Sequence, residues 1–277
     1  LSDDPLRIVS AASVTLEAYA AAFTSAFRGY HLPVTHDAAT LARRVRLEQH
    51  DLENSLLAYD GAEVAGVAAL AVRGERGWVA GLAVVPGWRG RGRGRELMTA
   101  LVARARGAGL RRLSLEVLTP NVAARRLYEW AGMSVARDLF VFERPAGHAG
   151  EAPRRAPATA APAAELLAHF ARLHTERPAW QREPASLLTS NLRGLCVGGR
   201  RRPRAYALLS RPLDGITYLS DLAAADAARA ESMCAALDRV PGALKVINEP
   251  ERSPFAAPLL RHGFAEVLRQ HEMTMGL

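Results

Sequence analysis

Apolar positions along the 277-residue chain switch between a period near two and a period near four, and both halves run through the switches in a similar order. A short apolar run at 6–10 predicts a strand, and the spacing of Leu16, Tyr19, Ala20, Phe23 and Phe27 predicts a helix over 15–27. Asp37 suits the N-cap of a second helix reaching about residue 50. Two strands, 55–59 and 64–72, are joined at Asp60-Gly61, a hairpin turn signal. A strand over 78–85 stops at Pro86 and leads through a glycine-rich turn into a helix over 93–106. A strand at 112–117, a helix at 123–131 and two short strands up to 142 close the first half. The order β-α-α-β-β-β-α-β-α-β-β predicts the α/β (α+β) class, with a mixed sheet carrying helices on both faces.

The second half predicts helices at 163–173 and 184–190, then strands at 195–197, 205–210 and 216–222. A helix over 226–239, a strand at 244–248, a helix at 254–262 and a closing pair at 265–269 and 271–275 follow. This approximate repeat predicts an internal duplication, echoed by Leu127-Tyr128-Glu129-Trp130-Ala131-Gly132-Met133 and Leu259-Leu260-Arg261-His262-Gly263-Phe264. Residues 146–162 are rich in Pro and Ala with almost no large apolar side chain, so they are expected to be a linker. The expected domains are 1–145 and 163–277.

Apolar residues at 49% and charged residues at 23% argue against a disordered chain. No apolar run reaches the ~18 residues of a membrane span. Leu1 to Pro5 show no basic and apolar leader pattern, and Cys196 and Cys234 form neither a disulfide framework nor a metal-ligand spacing. A cytoplasmic protein with no metal is therefore expected. The net charge is +8, but it divides evenly between the halves, and all basic residues except Lys245 are arginine. A nucleic-acid binder would concentrate that charge, so no nucleic-acid partner is expected, and no membrane partner either. The run Arg200-Arg201-Arg202-Pro203-Arg204 reads as a solvated hairpin turn.

The chemistry concentrates in Pro86-Gly87-Trp88-Arg89-Gly90-Arg91-Gly92-Arg93-Gly94-Arg95-Glu96. Alternating glycines between a strand and a helix let backbone N–H groups approach an anion, and the helix N-terminus adds its positive end. The arginines supply charge for phosphate oxygens. The spacing is not the Gly-x-Gly-x-x-Gly of a dinucleotide fold, and no Gly-Lys-Ser/Thr of a P-loop follows. Arg89-Gly90-Arg91-Gly92-Arg93-Gly94 resembles the Arg/Gln-x-x-Gly-x-Gly/Ala signature of the GNAT superfamily of N-acetyltransferases. Downstream, Asn121-Val122-Ala123-Ala124-Arg125-Arg126-Leu127-Tyr128 resembles that family's Asn-x-x-Ala-x-x-Leu-Tyr motif, and the likeness covers roughly residues 6–143.

The resemblance implies two GNAT-like domains, each a mixed, mostly antiparallel twisted sheet flanked by helices. It implies acetyl-CoA as co-substrate. Amides from Arg91, Gly92, Arg93, Gly94 and Arg95 would cradle the pyrophosphate with Arg89 beside it. Leu82, Ala83, Val84 and Val85 would pair with the pantetheine arm and aim an N–H at the thioester carbonyl, while Asn121 would hold the thiol end. Tyr128 would donate a proton to the departing thiolate. Glu116 is the candidate base for the amine, in a Leu-Glu-Val setting that also resembles ribosomal-protein N-terminal acetyltransferases; a wet-face carboxylate paired with Arg111 or Arg112 is the alternative. Phe27, Tyr30 and His31 fall where this family usually shapes its acceptor pocket.

The second half lacks the phosphate turn: no glycine occurs from Ile216 through Pro241. It is expected to be a degenerate copy without catalysis. The expected activity is acetyl transfer to a primary amine, of a small molecule or a protein N-terminus, by direct attack in a ternary complex. The alternative is a non-catalytic module that senses acetyl-CoA and binds a partner through its C-terminal domain. The protein is expected to be a monomer or a homodimer.

Overall fold

The computed structural model describes residues 5–32, 34–147 and 158–277. The chain divides into two compact units, Leu1–Ala136 with Glu272–Leu277, and Arg137–His271. These are not the two sequence halves, because the last six residues cluster with the first unit and residues 137–145 with the second.

In the first unit β1 (Arg7–Ser10) leads to α1 (Leu16–Ala26) and α2 (Ala38–Glu48). Then come β2 (Leu56–Asp60), β3 (Glu63–Arg73), β4 (Arg76–Val84), α3 (Arg93–Gly107), β5 (Arg112–Leu118) and α4 (Val122–Trp130). Strands β1 to β4 pair antiparallel in sequence order, and β4 pairs with β5 in parallel. Strand alternation sends successive residues to opposite faces, which gives the sheet two cores. Leu56, Ala68 and Leu70 pack with Leu97, Leu101 and Leu115 on the α3 face, joined by Met273 from the chain's end. Leu57, Val67 and Ala69 pack with Tyr19, Phe23 and Leu41 on the α1 and α2 face.

The second unit takes up β6 (Ser134–Arg144) and continues with β7 (Ala158–Pro162), α5 (Ala163–Leu167), α6 (Phe170–Leu173) and α7 (Pro184–Leu187). After these follow β8 (Arg193–Val197), β9 (Ala205–Leu209), β10 (Ile216–Ala224), α8 (Ala227–Leu237), β11 (Ala243–Pro250), α9 (Ala256–Arg261) and β12 (Ala265–Gly276). Its strand order is β12, β6, β11, β10, β9, β8, β7; β10 and β11 pair in parallel, while β11 with β6, β10 with β9, β9 with β8 and β8 with β7 are antiparallel.

The duplication extends to the register. Arg76, Gly77 and Trp78 of β4 pair with Arg112, Leu113 and Ser114 of β5, and then the two strands part. Ile216, Thr217 and Tyr218 of β10 pair in the same way with Ala243, Leu244 and Lys245 of β11. Each first strand carries a bulge two residues after its last paired residue, at Ala80 in β4 and Ser220 in β10.

Several local expectations shift. Residues 158–162, inside the expected linker, form β7, whose last residue, Pro162, is tolerated because it stands at the end of an edge strand. The helix expected over 184–190 stops at Leu187, because the Thr189 and Ser190 hydroxyls both donate to the Ser186 carbonyl, at 2.9 and 3.1 Å. The helix expected over 163–173 breaks into α5 and α6, with the His169 N–H turning to Leu166 instead of continuing the ladder. The short strands expected before residue 142 are one strand, β6, and the closing pair is one strand, β12.

Candidate active site

A cleft of ≈ 390 Å³ opens in the first unit where β4 and β5 part. Its floor is the end of β4, with Leu82, Ala83 and Val84. One wall is the turn into α3, the opposite wall is the start of α4, and the segment after α1 closes one end.

The turn is held from outside the cleft. Trp88 donates its indole N–H to Asp60 at 2.9 Å, so the hairpin tip anchors the loop. Gly90 and Gly92 sit at φ 77° and 79°, where an L side chain is strained. Gly92 caps α3 without a side chain, whereas Thr15, Asp37, Asn121 and Asp226 cap the other described helices of nine residues or more through side-chain oxygens. The first donors to the Gly92 carbonyl are Arg95 and Glu96, at 2.8 and 3.2 Å, so the Gly92 and Gly94 N–H groups beside the cleft have no described carbonyl acceptor. Gly94 also lies close to α4: a Cβ there would stand 3.3 Å from Leu127 Cδ2, so the leucine would have to give way by a few tenths of an ångström. Backbone amides and a helix N-terminus with room in front of them can take a phosphate.

The arginines of the turn take different directions. Arg93 is buried and turns inward to Glu96 at 2.9 Å and Asp60 at 3.8 Å. Arg95 lies 4.9 Å over the Trp130 ring at the cleft edge. Arg91 is exposed and does not line the cleft. Arg89 lines it, yet donates to three backbone carbonyls.

At the inner end Tyr128 is only 6% exposed and packs with Leu115 and Val117. Burial first, and then the neighbouring Tyr30 phenol, push its pKa up, so the hydroxyl keeps its proton at neutral pH. Tyr30 is likewise pushed up by burial, against the lowering effect of a hydrogen bond with the Asn121 side chain. Asn121 accepts from the Ala124 N–H at 3.2 Å as the α4 cap. Phe27 stacks on Phe23 at 5.0 Å and meets the Tyr30 ring edge-on at 5.3 Å, and His31 meets Tyr30 at 5.6 Å.

The cleft thus gathers Leu82, Ala83, Val84, Arg89, Gly92, Gly94, Arg95, Asn121, Tyr128, Phe27, Tyr30 and His31 from the residues the sequence singles out. Val85, Arg91, Arg93 and Glu116 do not line it. Glu116 lies on the other face of β5, away from the Leu113, Leu115 and Val117 face, and accepts from the Trp78 indole at 2.7 Å. Sequence reasoning passed over Ala26, Gly29, Gly90, Ala123, Ala124 and Leu127. Their signal was proximity: Gly90 lies inside the turn, and Ala123, Ala124 and Leu127 share the first turns of the helix that Asn121 caps.

In the second unit the matching place is closed. Leu222, Ala223 and Ala224 stand four to six residues beyond the paired Tyr218, as Leu82 to Val84 stand beyond Trp78. The void they line measures ≈ 20 Å³. Arg182 enters it from the turn Trp180–Arg182 and donates to Asp221 of β10 at 3.1 Å and to Glu249 of β11. It also reaches the Leu222 and Asn248 carbonyls, each at 3.2 Å. Burial alone would lower the Arg182 pKa, but Glu249 and Asp221 hold it above its usual value. Asp221 is further fixed by the Tyr206 hydroxyl at 2.7 Å.

Residues 16–133, within the first unit, match the acetyltransferase (GNAT) family. The solved structures it resembles include a GCN5-related N-acetyltransferase from Sphaerobacter thermophilus, 16% identical, covering 100% of this chain and 97% of that one at TM-score 0.70. A tandem GNAT protein from the clavulanic acid biosynthesis pathway is 15% identical, covering 98% of each chain at TM-score 0.65. A GCN5-related N-acetyltransferase from Anabaena variabilis is 17% identical, covering 97% of this chain and 72% of that one at TM-score 0.64. These likenesses extend the GNAT fold over both units. No curated protein matches the sequence. No described helix is long and apolar enough to cross a membrane, and no described group of His, Cys, Asp and Glu could hold a metal ion.

Proposed function

We propose that the first unit transfers an acetyl group from acetyl-CoA to a primary amine, of a small molecule or a protein N-terminus, by direct attack. The carrying observation is the uncapped start of α3, behind two left-handed glycines, at the mouth of a cleft whose inner end holds a buried tyrosine. Acetyl-CoA supplies an activated acyl group on a thiol leaving group. The amides of Gly92 and Gly94 bind its pyrophosphate, with Arg95 at the edge. The end of β4, beyond its pairing with β5, offers backbone groups to the pantetheine arm and to the carbonyl oxygen as charge develops there. Tyr128 gives its proton to sulfur as the carbon–sulfur bond breaks.

The amine must lose a proton as its bond to the acyl carbon forms. Glu116 is the one carboxylate of β5, and it would receive that proton from the face opposite Tyr128, directly or through water. The opposed faces support an acceptor that approaches from the side away from the cofactor. The second unit contributes no second transfer site, since Arg182 occupies the opening and Asp226 caps α8 in place of a glycine turn.

The test is acetyl-CoA binding by calorimetry, paired with thiol release against an amine panel. Wild type should bind and turn over. Gly94→Glu should abolish binding with an unchanged circular dichroism spectrum, and Tyr128→Phe should keep binding while losing roughly 10²-fold in kcat. Binding without turnover on any amine would favour a sensing module. Full turnover by Tyr128→Phe would remove that residue from the mechanism.

A further inference from the structure

We propose that Arg89, the leading arginine of the glycine turn, is a positioning residue for the acceptor side of the cleft and not a phosphate ligand; the inference rests on the acetyl-transfer reading above. Its Nε donates to the Val84 carbonyl at 2.8 Å, and one Nη donates to both the Ala26 carbonyl at 3.1 Å and the Arg28 carbonyl at 2.8 Å. Val84 is the last residue of β4, Ala26 the last of α1, and Arg28 belongs to the turn that follows. One planar group therefore ties the floor of the cleft to the segment that closes its end, across more than 60 positions of sequence.

The chemistry of the fork explains the choice of residue. The last carbonyls of a helix lack intrahelical donors and carry the negative end of its dipole, so a cation is favoured there. A guanidinium offers five donors in a fixed plane, and here Nε and one Nη are already on carbonyls, which leaves the other Nη alone to face an anion. The tied segment then turns at Gly29, φ 71°, and presents Phe27, Tyr30 and His31 to the cleft as a run of touching rings. Tyr30 reaches both Asn121 and the neighbourhood of Tyr128. Loosening Arg89 would let that run move relative to β4, and a shift of about 1 Å in a positioned group can cost roughly 10²-fold in rate.

Two substitutions separate the roles. Arg89→Lys keeps the charge but loses the planar fork, whereas Arg89→Gln loses the charge but keeps an amide that can donate to two carbonyls. A positioning role predicts that both bind acetyl-CoA within about threefold of wild type. It also predicts an acceptor kcat/KM that falls at least tenfold in Arg89→Lys, mainly through KM, and recovers partly in Arg89→Gln. Backbone hydrogen exchange over residues 26–31, measured without ligand, should accelerate more in the Lys variant than in the Gln variant. A phosphate role predicts the reverse order for acetyl-CoA affinity, with Lys near wild type and Gln weakened at least tenfold. That order, or exchange unchanged in both variants, overturns the proposal. Failure of the wild type to bind acetyl-CoA would instead overturn the functional reading, while the exchange data would still decide whether Arg89 holds the segment.

Discussion

Replacing Arg182 by methionine should be among the most damaging single changes in the second unit. The guanidinium is buried, 4% exposed, between Asp221 and Glu249, which are 0% and 1% exposed. Methionine fills much of the volume, so the main loss is electrostatic. Asp221 would keep the Tyr206 hydroxyl at 2.7 Å and His174 at 3.2 Å. Glu249 would lose the only side-chain donor given to it among the described residues. The Leu222 and Asn248 carbonyls would each lose a donor as well. Removing one partner of a buried ion pair costs about 3–5 kcal/mol, because the remaining charge is left desolvated without a counter-charge.

At roughly 3 °C per kcal/mol for a unit of this size, the unfolding midpoint should fall by about 10–15 °C in a calorimetric scan. The double variant Arg182→Met, Glu249→Gln should recover about 1–2 kcal/mol of that loss, because the orphaned charge is removed with its partner. Acetyl-CoA affinity should not change, because the cleft belongs to the first unit. A loss below about 1 kcal/mol, or no recovery in the double variant, would mean that the buried cluster is solvated and the reasoning wrong.

Acetyl-CoA should bind at one equivalent per chain in a calorimetric titration, since the second unit offers a ≈ 20 Å³ void where the first has ≈ 390 Å³. Gly81→Ala should destabilise by about 1–3 kcal/mol in urea, because its Cβ would stand 2.8 Å from Phe23 Cζ at the β4 bulge and force the ring aside. Burial pushes the Glu48 carboxyl up, but hydrogen bonds and charge from His50 and Arg44 outweigh it and leave the pKa below the usual 4.5. A depressed carboxylate stabilises the fold above its unfolded pKa and loses that contribution as pH falls through the folded value. Glu48→Gln should therefore cost about 1–2 kcal/mol at pH 7, and the gap to wild type should close as pH falls below the usual 4.5 and through the lowered folded value.

The parts of the site legible in the sequence are those whose conformation is a local matter. Gly90 and Gly92 mark a turn because other residues are strained at their positive φ, whereas Asn121, singled out by the motif, proves in the structure to be the cap of α4. Tyr128 is legible through the resemblance of the stretch from Asn121 to Tyr128 to the family's motif, whereas the bulge in β4 and its half-pairing with β5 emerge only once the sheet is assembled. Side-chain direction is a different matter, because it depends on partners distant in sequence. Arg89 and Arg93 sit in one motif, yet one is drawn to the end of α1 and the other to Asp60 and Glu96. The same holds for Glu116, whose place beside Trp78 needed the pairing of β4 with β5. It holds for Arg182, an unremarked arginine until the fold sets it between carboxylates 39 and 67 positions away. The last six residues join the first unit for the same physical reason. A short apolar strand specifies that it must pair and bury one face, but only the assembled sheet determines which edge receives it.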